Sequence, residues 1–148
     1  MEMKKSFRAL ALMLAMGFAL LMQVGCAAED EPAKLSIIGS YSDNFGGSQD
    51  ITAETWTMAY EGSDPSVFNI LSFDNKTQVV IAQNGATNAY NPDLFSRFDW
   101  TISESVLYYC QTAYDAASEQ AAVDTKAADA ANLETGCGGF FWSFLLPK

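Results

Sequence analysis

From Lys34 onward, short runs of β-branched and aromatic residues alternate with clusters of Gly, Asn, Asp, Ser and Pro. That layout predicts antiparallel strands joined by tight turns, about seven of them. The first, 34–42, sets Leu35, Ile37, Gly39 and Tyr41 against Ser36, Ser40 and Ser42, so one face is apolar and the other wet. Residues 43–50 (DNFGGSQD) turn the chain into a second strand, 51–60, with Trp56, Met58 and Tyr60 on one face. Gly62-Ser63-Asp64-Pro65 is a turn, and Asp74-Asn75-Lys76 joins a third strand, 67–73, to a fourth, 77–82. In the fifth, 94–102, Leu94, Ser96, Phe98, Trp100 and Ile102 share one face while Arg97, Asp99 and Thr101 share the other. The sixth, 106–112, is apolar on both faces and reads as central. Residues 115–123 (DAASEQAAV) favour a short helix with Asp115 as its N-cap. The run 140–146 (FFWSFLL) reads as a last strand, buried on both sides. The expected fold is an all-β antiparallel meander closing into a small barrel or a two-layer sandwich, with one short helix.

The N-terminal stretch follows a different rule. Lys4, Lys5 and Arg8 precede an apolar run over 9–24 that only Gln23 interrupts, the layout of an export signal. As a helix that run would span about 24 Å, short of the ~30 Å hydrocarbon core a permanent span must cross. It is read as a cleaved signal, 1–25. The segment Gln23-Val24-Gly25-Cys26 resembles the lipobox of bacterial lipoproteins, with Gly25 and Cys26 on the pattern and Gln23 where that family carries an aliphatic residue. The resemblance implies a diacylglycerol thioether on Cys26, and several acyl chains at one site give firm anchoring. Residues 26–33 then form a flexible acidic tether to one β domain, 34–148. No Asp follows Cys26 directly, which by the same resemblance implies the outer membrane. Plain secretion after cleavage near Ala27-Ala28 is the alternative, leaving a periplasmic or secreted protein.

Charge and composition narrow the chemistry. Taking residues 1–25 from the totals of 8 basic and 18 acidic side chains leaves 5 basic and 17 acidic. A domain so acidic offers no stripe to neutralise phosphates, so nucleic acid is not an expected partner. The chain contains no His, which removes the commonest general base and the usual zinc ligand, and with them serine-triad and papain-like chemistry in their ordinary forms. No cofactor is expected. With Cys26 assigned to lipid, Cys110 and Cys137 remain as an even pair, which in an oxidising compartment forms a disulfide.

Several motifs together resemble a family of small bacterial envelope lipoproteins. They are Gly39-x-Tyr41-x-Asp43-x-Phe45-Gly46, Ile51-Thr52 with Trp56, Arg97-Phe98-Asp99-Trp100-Thr101, Tyr108-Tyr109-Cys110-Gln111, and Gly136-Cys137-Gly138-Gly139 with Trp142. The resemblance covers nearly the whole mature chain and implies a shared fold and export route, with no activity. Among candidate sites, the acidic turn 43–50 has oxygen ligands and glycines but no EF-hand spacing, and reads as a solvated turn rather than a metal site. Glu54, Glu61, Asp99 and Glu104 could supply a glycosidase carboxylate pair, though they read as solvent-facing charges, with Arg97 and Asp99 a weak same-face ion pair. Trp56, Tyr60, Trp100, Tyr109 and Trp142 are the candidates to line a mouth for a small apolar or glycan ligand, set against the plainer role of core packing. The function expected is a membrane-anchored envelope lipoprotein, a non-enzymatic binding or structural module. The alternatives are a carboxylate-dependent glycan hydrolase and a secreted ligand-binding barrel.

Overall fold

The computed structural model describes residues 33–148. The export signal, Cys26 and all of the tether but its last residue lie outside the described residues. The described chain is an up-and-down barrel of eight antiparallel strands: β1 (Gly39–Asp43), β2 (Ser48–Ile51), β3 (Thr55–Ala59), β4 (Ser66–Asp74), β5 (Val79–Asn84), β6 (Phe95–Ser103), β7 (Val106–Ala116) and β8 (Ser143–Pro147). Each strand pairs with its neighbours in sequence, and β8 closes on β1 through Tyr41↔Pro147, Ser42↔Leu146 and Asp43↔Leu145. Of the two architectures the strand pattern allowed, the barrel is the one formed. Closure removes most of the sheet edge that a sandwich would leave.

The eighth strand is β2, most of which lies in the segment 43–50 expected as a turn, and the strand expected over 51–60 is formed only from Thr55, after a reversal at residues 52–54. There the Thr52 hydroxyl takes the N–H groups of Glu54 and Thr55, and Thr52 N–H donates to the Thr55 carbonyl. A Thr side chain that imitates a backbone turn can reverse a strand without Gly or Pro. The first strand starts at Gly39 rather than 34. Leu35 and Ile37 ahead of it are buried and join the core, closing the lower mouth, while Asn75 in the β4–β5 turn holds Lys34 and Ser36. Between β6 and β7 the link is two residues, Glu104 and Ser105, both with positive φ as a two-residue hairpin turn requires.

The barrel interior is filled. Ile51, Trp56, Met58, Phe68, Val80, Ala82, Phe98, Trp100, Leu107, Tyr109 and Leu145 form one buried cluster. At its centre Trp56 stacks on Phe98 with ring centroids 4.7 Å apart, and Phe68 meets Phe98 edge-on at 5.0 Å. The alternation expected for 94–102 is seen for Ser96, Phe98 and Trp100, but Ile102 at the strand's lower end is exposed. A barrel has no central strand, so the double-sided apolarity of β7 needs another cause. Its outer face is covered by the excursion 117–142, to which Cys110 is bridged.

That excursion differs most from expectation. β7 runs on to Ala116, so Asp115 lies in a strand, and the helix is only α1 (Glu119–Val123), capped by the Ser118 hydroxyl accepting from Ala121 N–H. α1 lies on the outer face of β5, β6 and β7, with Ala122 fully buried and Ile81 buried beneath it. The last strand spans Ser143–Pro147 rather than 140–146. Cys137 and Phe140 form an isolated antiparallel bridge across Gly138 and Gly139, both at positive φ. The reversal turns Phe140 and Phe141 out to 74% and 53% exposure, where burial was expected.

Candidate functional site

One polar construction and a cleft sit toward the end of the barrel opposite Lys34, and a second polar construction lies midway along its outer wall. The first construction is inside the mouth. Asp43, at the top of β1, is buried, and its carboxylate accepts from the backbone N–H groups of Phe45 and Gly47, from Gln49 Nε2 and from the Tyr60 hydroxyl, at 2.8–2.9 Å. Gln49, fully buried, also accepts from Trp56 Nε1 at 2.8 Å and reaches the Tyr109 hydroxyl at 3.4 Å. Burial pushes the Asp43 pKa up, but the hydrogen bonds from Gln49, Tyr60, Gly47 and Phe45 outweigh it and hold the carboxyl below its ordinary value. Burial, reinforced by the neighbouring Asp43, raises the Tyr60 and Tyr109 hydroxyls. The turn 43–50 is therefore not simply solvated. Its first carboxylate is a polar keystone for the interior, with both oxygens taken by donors of the chain.

The second construction is on the outside, where the expected same-face pair of Arg97 and Asp99 is formed, but it corrects the reading of Asp99 as a solvent-facing charge. Asp99 is 4% exposed. Its Oδ1 accepts from Arg97 Nη2 at 2.8 Å and Nε at 3.1 Å, while its Oδ2 accepts from the Thr112 hydroxyl at 2.8 Å and from Ala128 N–H at 3.2 Å. Arg97 Nη1 in turn donates to the Val123 carbonyl. The pair thus clasps the excursion at two points. The Cys110–Cys137 disulfide, with Cα atoms 5.6 Å apart, fastens it at a third.

Between the upper half of β7 and the excursion lies a cleft of about 870 Å³. Phe45 from the β1–β2 turn, Tyr114 from β7, and Phe140 and Phe141 from the Gly-Gly reversal give it aromatic walls, with Phe45 and Phe141 6.0 Å apart. Tyr109, Cys110, Gln111 and Thr112 form its β7 side, and residues 125–129 face them. Most of its polar side chains are already engaged. Thr112 bonds Asp99, Gln111 bonds Ser96, Thr125 bonds the Ala121 carbonyl, Asn132 bonds Thr135, and Asp129 accepts from Ala131 N–H. Asp129 is the one carboxylate lining it, whereas a glycosidase needs two. Glu54, Glu61 and Glu104 are exposed outside the cleft.

Of the five aromatic candidates, the structure brings Trp56, Tyr60 and Tyr109 together through Gln49 and Asp43. Trp56 is fully buried, Tyr60 is 37% exposed at the rim, and Tyr109 alone of the five lines the cleft. Trp100 is buried below them, with Nε1 lacking a hydrogen-bond partner. Trp142 is buried outside the barrel, its Nε1 donating to the Asp129 carbonyl. The exposed cleft aromatics Phe45, Tyr114, Phe140 and Phe141 were not among the candidates. The available signal was Gly138-Gly139 directly before Phe140-Phe141, a reversal that interrupts any strand. Comparisons with protein-family models, curated proteins and solved structures return no match.

Proposed function

We propose that the chain is a lipid-anchored, non-enzymatic envelope protein that binds its partner in the cleft outside the barrel rather than inside it. One observation carries the reading. The interior is packed with aromatic rings and a hydrogen-bonded polar keystone, while the open concavity, walled by exposed aromatics, lies against the excursion. Contiguous exposed apolar surface of this kind marks interaction sites. The signal layout at 1–25 and Gly25-Cys26 support the anchor. The described chain enters the barrel at the β4–β5 end, where Asn75 Nδ2 donates to the Lys34 carbonyl.

Two measurements test this reading. Metabolic labelling with an alkyne fatty acid is expected to mark the wild type and not Cys26→Ser, and equal labelling of both would refute the anchor. The apolar dye Nile red is expected to bind the wild type and to be lost in Phe141→Asp. Retention of the dye by the variant would refute the outer cleft as the binding face.

A further inference from the structure

β7 is eleven residues long, yet β8 pairs with only Leu107, Tyr108 and Tyr109 of it. Above that point β8 has no residues to offer. Its extension turns away, with Trp142 N–H donating to the Leu133 carbonyl and Phe141 lying beside Phe45. The direction of the β7 backbone follows from the pairing. Trp100 N–H donates across to Gln78 on the β5 side, so Tyr109, opposite Trp100, presents its N–H and C=O to β8. Two residues on, Gln111 faces the same side, now beyond the end of β8. Among the described residues no backbone hydrogen bond joins 111–116 to the excursion.

The cleft lies along this edge. Residues from both faces of β7 line it, Tyr109 and Gln111 from the inner face and Cys110, Thr112 and Tyr114 from the outer. That happens beside a strand edge, not over a sheet face. Since most polar side chains of the walls are already engaged, Lys126 being an exception, the backbone edge is the main remaining source of hydrogen bonds there. A sugar would need those side chains, whereas an extended peptide needs the edge.

We infer that the cleft binds an extended segment of a partner polypeptide by strand addition to β7 over 111–116. This rests on the outer cleft being the binding face. The six residues span about 20 Å of strand, and the pairing they offer is shorter, because the register against β6 shifts twice between Gln111 and Ala116 and Asn84 Nδ2 already donates to the Tyr114 carbonyl. Main-chain bonds would supply affinity, and alternate side chains would enter between Phe45, Tyr114 and Phe141 and supply specificity. Lys126 and Asp129 are the charged side chains of the cleft lining and offset one another, so the acid excess of the domain, with Asp115 exposed on the edge itself, selects Lys or Arg rather than Asp or Glu in the segment. The same excess disfavours a second copy, which would bring like charge to like. The excursion walling one side leaves room for a single chain rather than a barrel.

The test pans phage-displayed random peptides against the full mature protein in detergent micelles, and the most enriched peptide, synthesised, becomes the probe. The expected sequences alternate large apolar residues and carry basic ones. Binding is expected to slow amide exchange at 111–116, to weaken about tenfold or more in Phe141→Asp, and to be unchanged in Ile102→Asp at the far end. Peptides that bind with Phe141→Asp as with the wild type, or that protect a different segment, would overturn the inference. So would protection of 111–116 without peptide in a protein that sediments as a dimer, which makes the occupant a second copy. If Nile red binds the cleft and no peptide is enriched, the peptide class fails while the site stands. If neither binds, the site itself fails.

Discussion

Replacing Asp99 by Asn is the sharpest perturbation of the excursion. The carboxylate accepts from Arg97, Thr112 and Ala128 N–H, every one a donor, and uses both oxygens. An Asn keeps the shape but has one acceptor oxygen, so its NH₂ must face donors on one side. Either the guanidinium loses its partner or Thr112 and Ala128 lose theirs. Breaking one side of a buried, hydrogen-bonded ion pair costs about 3–5 kcal/mol, and the retained oxygen places this variant near the lower end, about 3 kcal/mol. For a domain of this size the entropy of melting is about 0.24 kcal/mol/K, so Tm is expected to fall by about 12 °C. Calorimetry of both proteins, with the disulfide intact, measures this. Amide exchange should locate the loss, with Ala128 exchanging faster while the barrel centre around Phe98 changes only with global stability. A fall in Tm under about 4 °C, together with unchanged exchange at Ala128, would refute the clasp.

Other outcomes follow from the same packing. Replacing Cys110 and Cys137 by Ser opens a loop spanning a sequence separation of 27 and is expected to cost about 3.6 kcal/mol in denaturant titration by loop entropy. Asp43 has its pKa lowered in the folded state, so its stabilisation is complete above about pH 4 and drains away as pH falls through the lower folded value. Asp43→Asn should lose that contribution near neutral pH and show a flatter acid-unfolding curve, and equal slopes in both proteins would contradict it. Gly136→Ala should destabilise the excursion severely, because the new methyl would meet the backbone carbonyl oxygens of Asp129 and Asn132, which cannot move aside. Faster exchange at Asp129 and Gly136 with a lowered Tm is the expected signature.

Period-two alternation was enough to place most of the barrel, since Ser96, Phe98 and Trp100, or Trp56 and Met58, can face one core in only one register. What alternation could not show was where side chains replace turn residues. Thr52 ends a strand with its own hydroxyl, and a run of Thr reads as uninterrupted β. Nor could it show the fate of carboxylates. Asp43 and Asp99 look solvated in sequence because Gln49, Tyr60, Thr112 and Ala128 come to them only when the barrel closes and the excursion folds down. The cleft was hidden for a related reason: an apolar run reads as buried, and only the backbone freedom of Gly138 and Gly139 turns Phe140 and Phe141 outward.

Closure by β8 also sets a cost in folding. The contacts of Tyr41, Ser42 and Asp43 with Leu145, Leu146 and Pro147 join residues about a hundred positions apart, the costliest kind of pairing to reach early. Until Ser143–Pro147 has been made and delivered, β1 and the lower part of β7 stand open as sticky borders, the kind that joins other chains into aggregates. The clasp and the disulfide hold the approach to that final strand against β7, which shortens its search. A segment fastened outside the barrel thereby bears on the closing of the barrel itself.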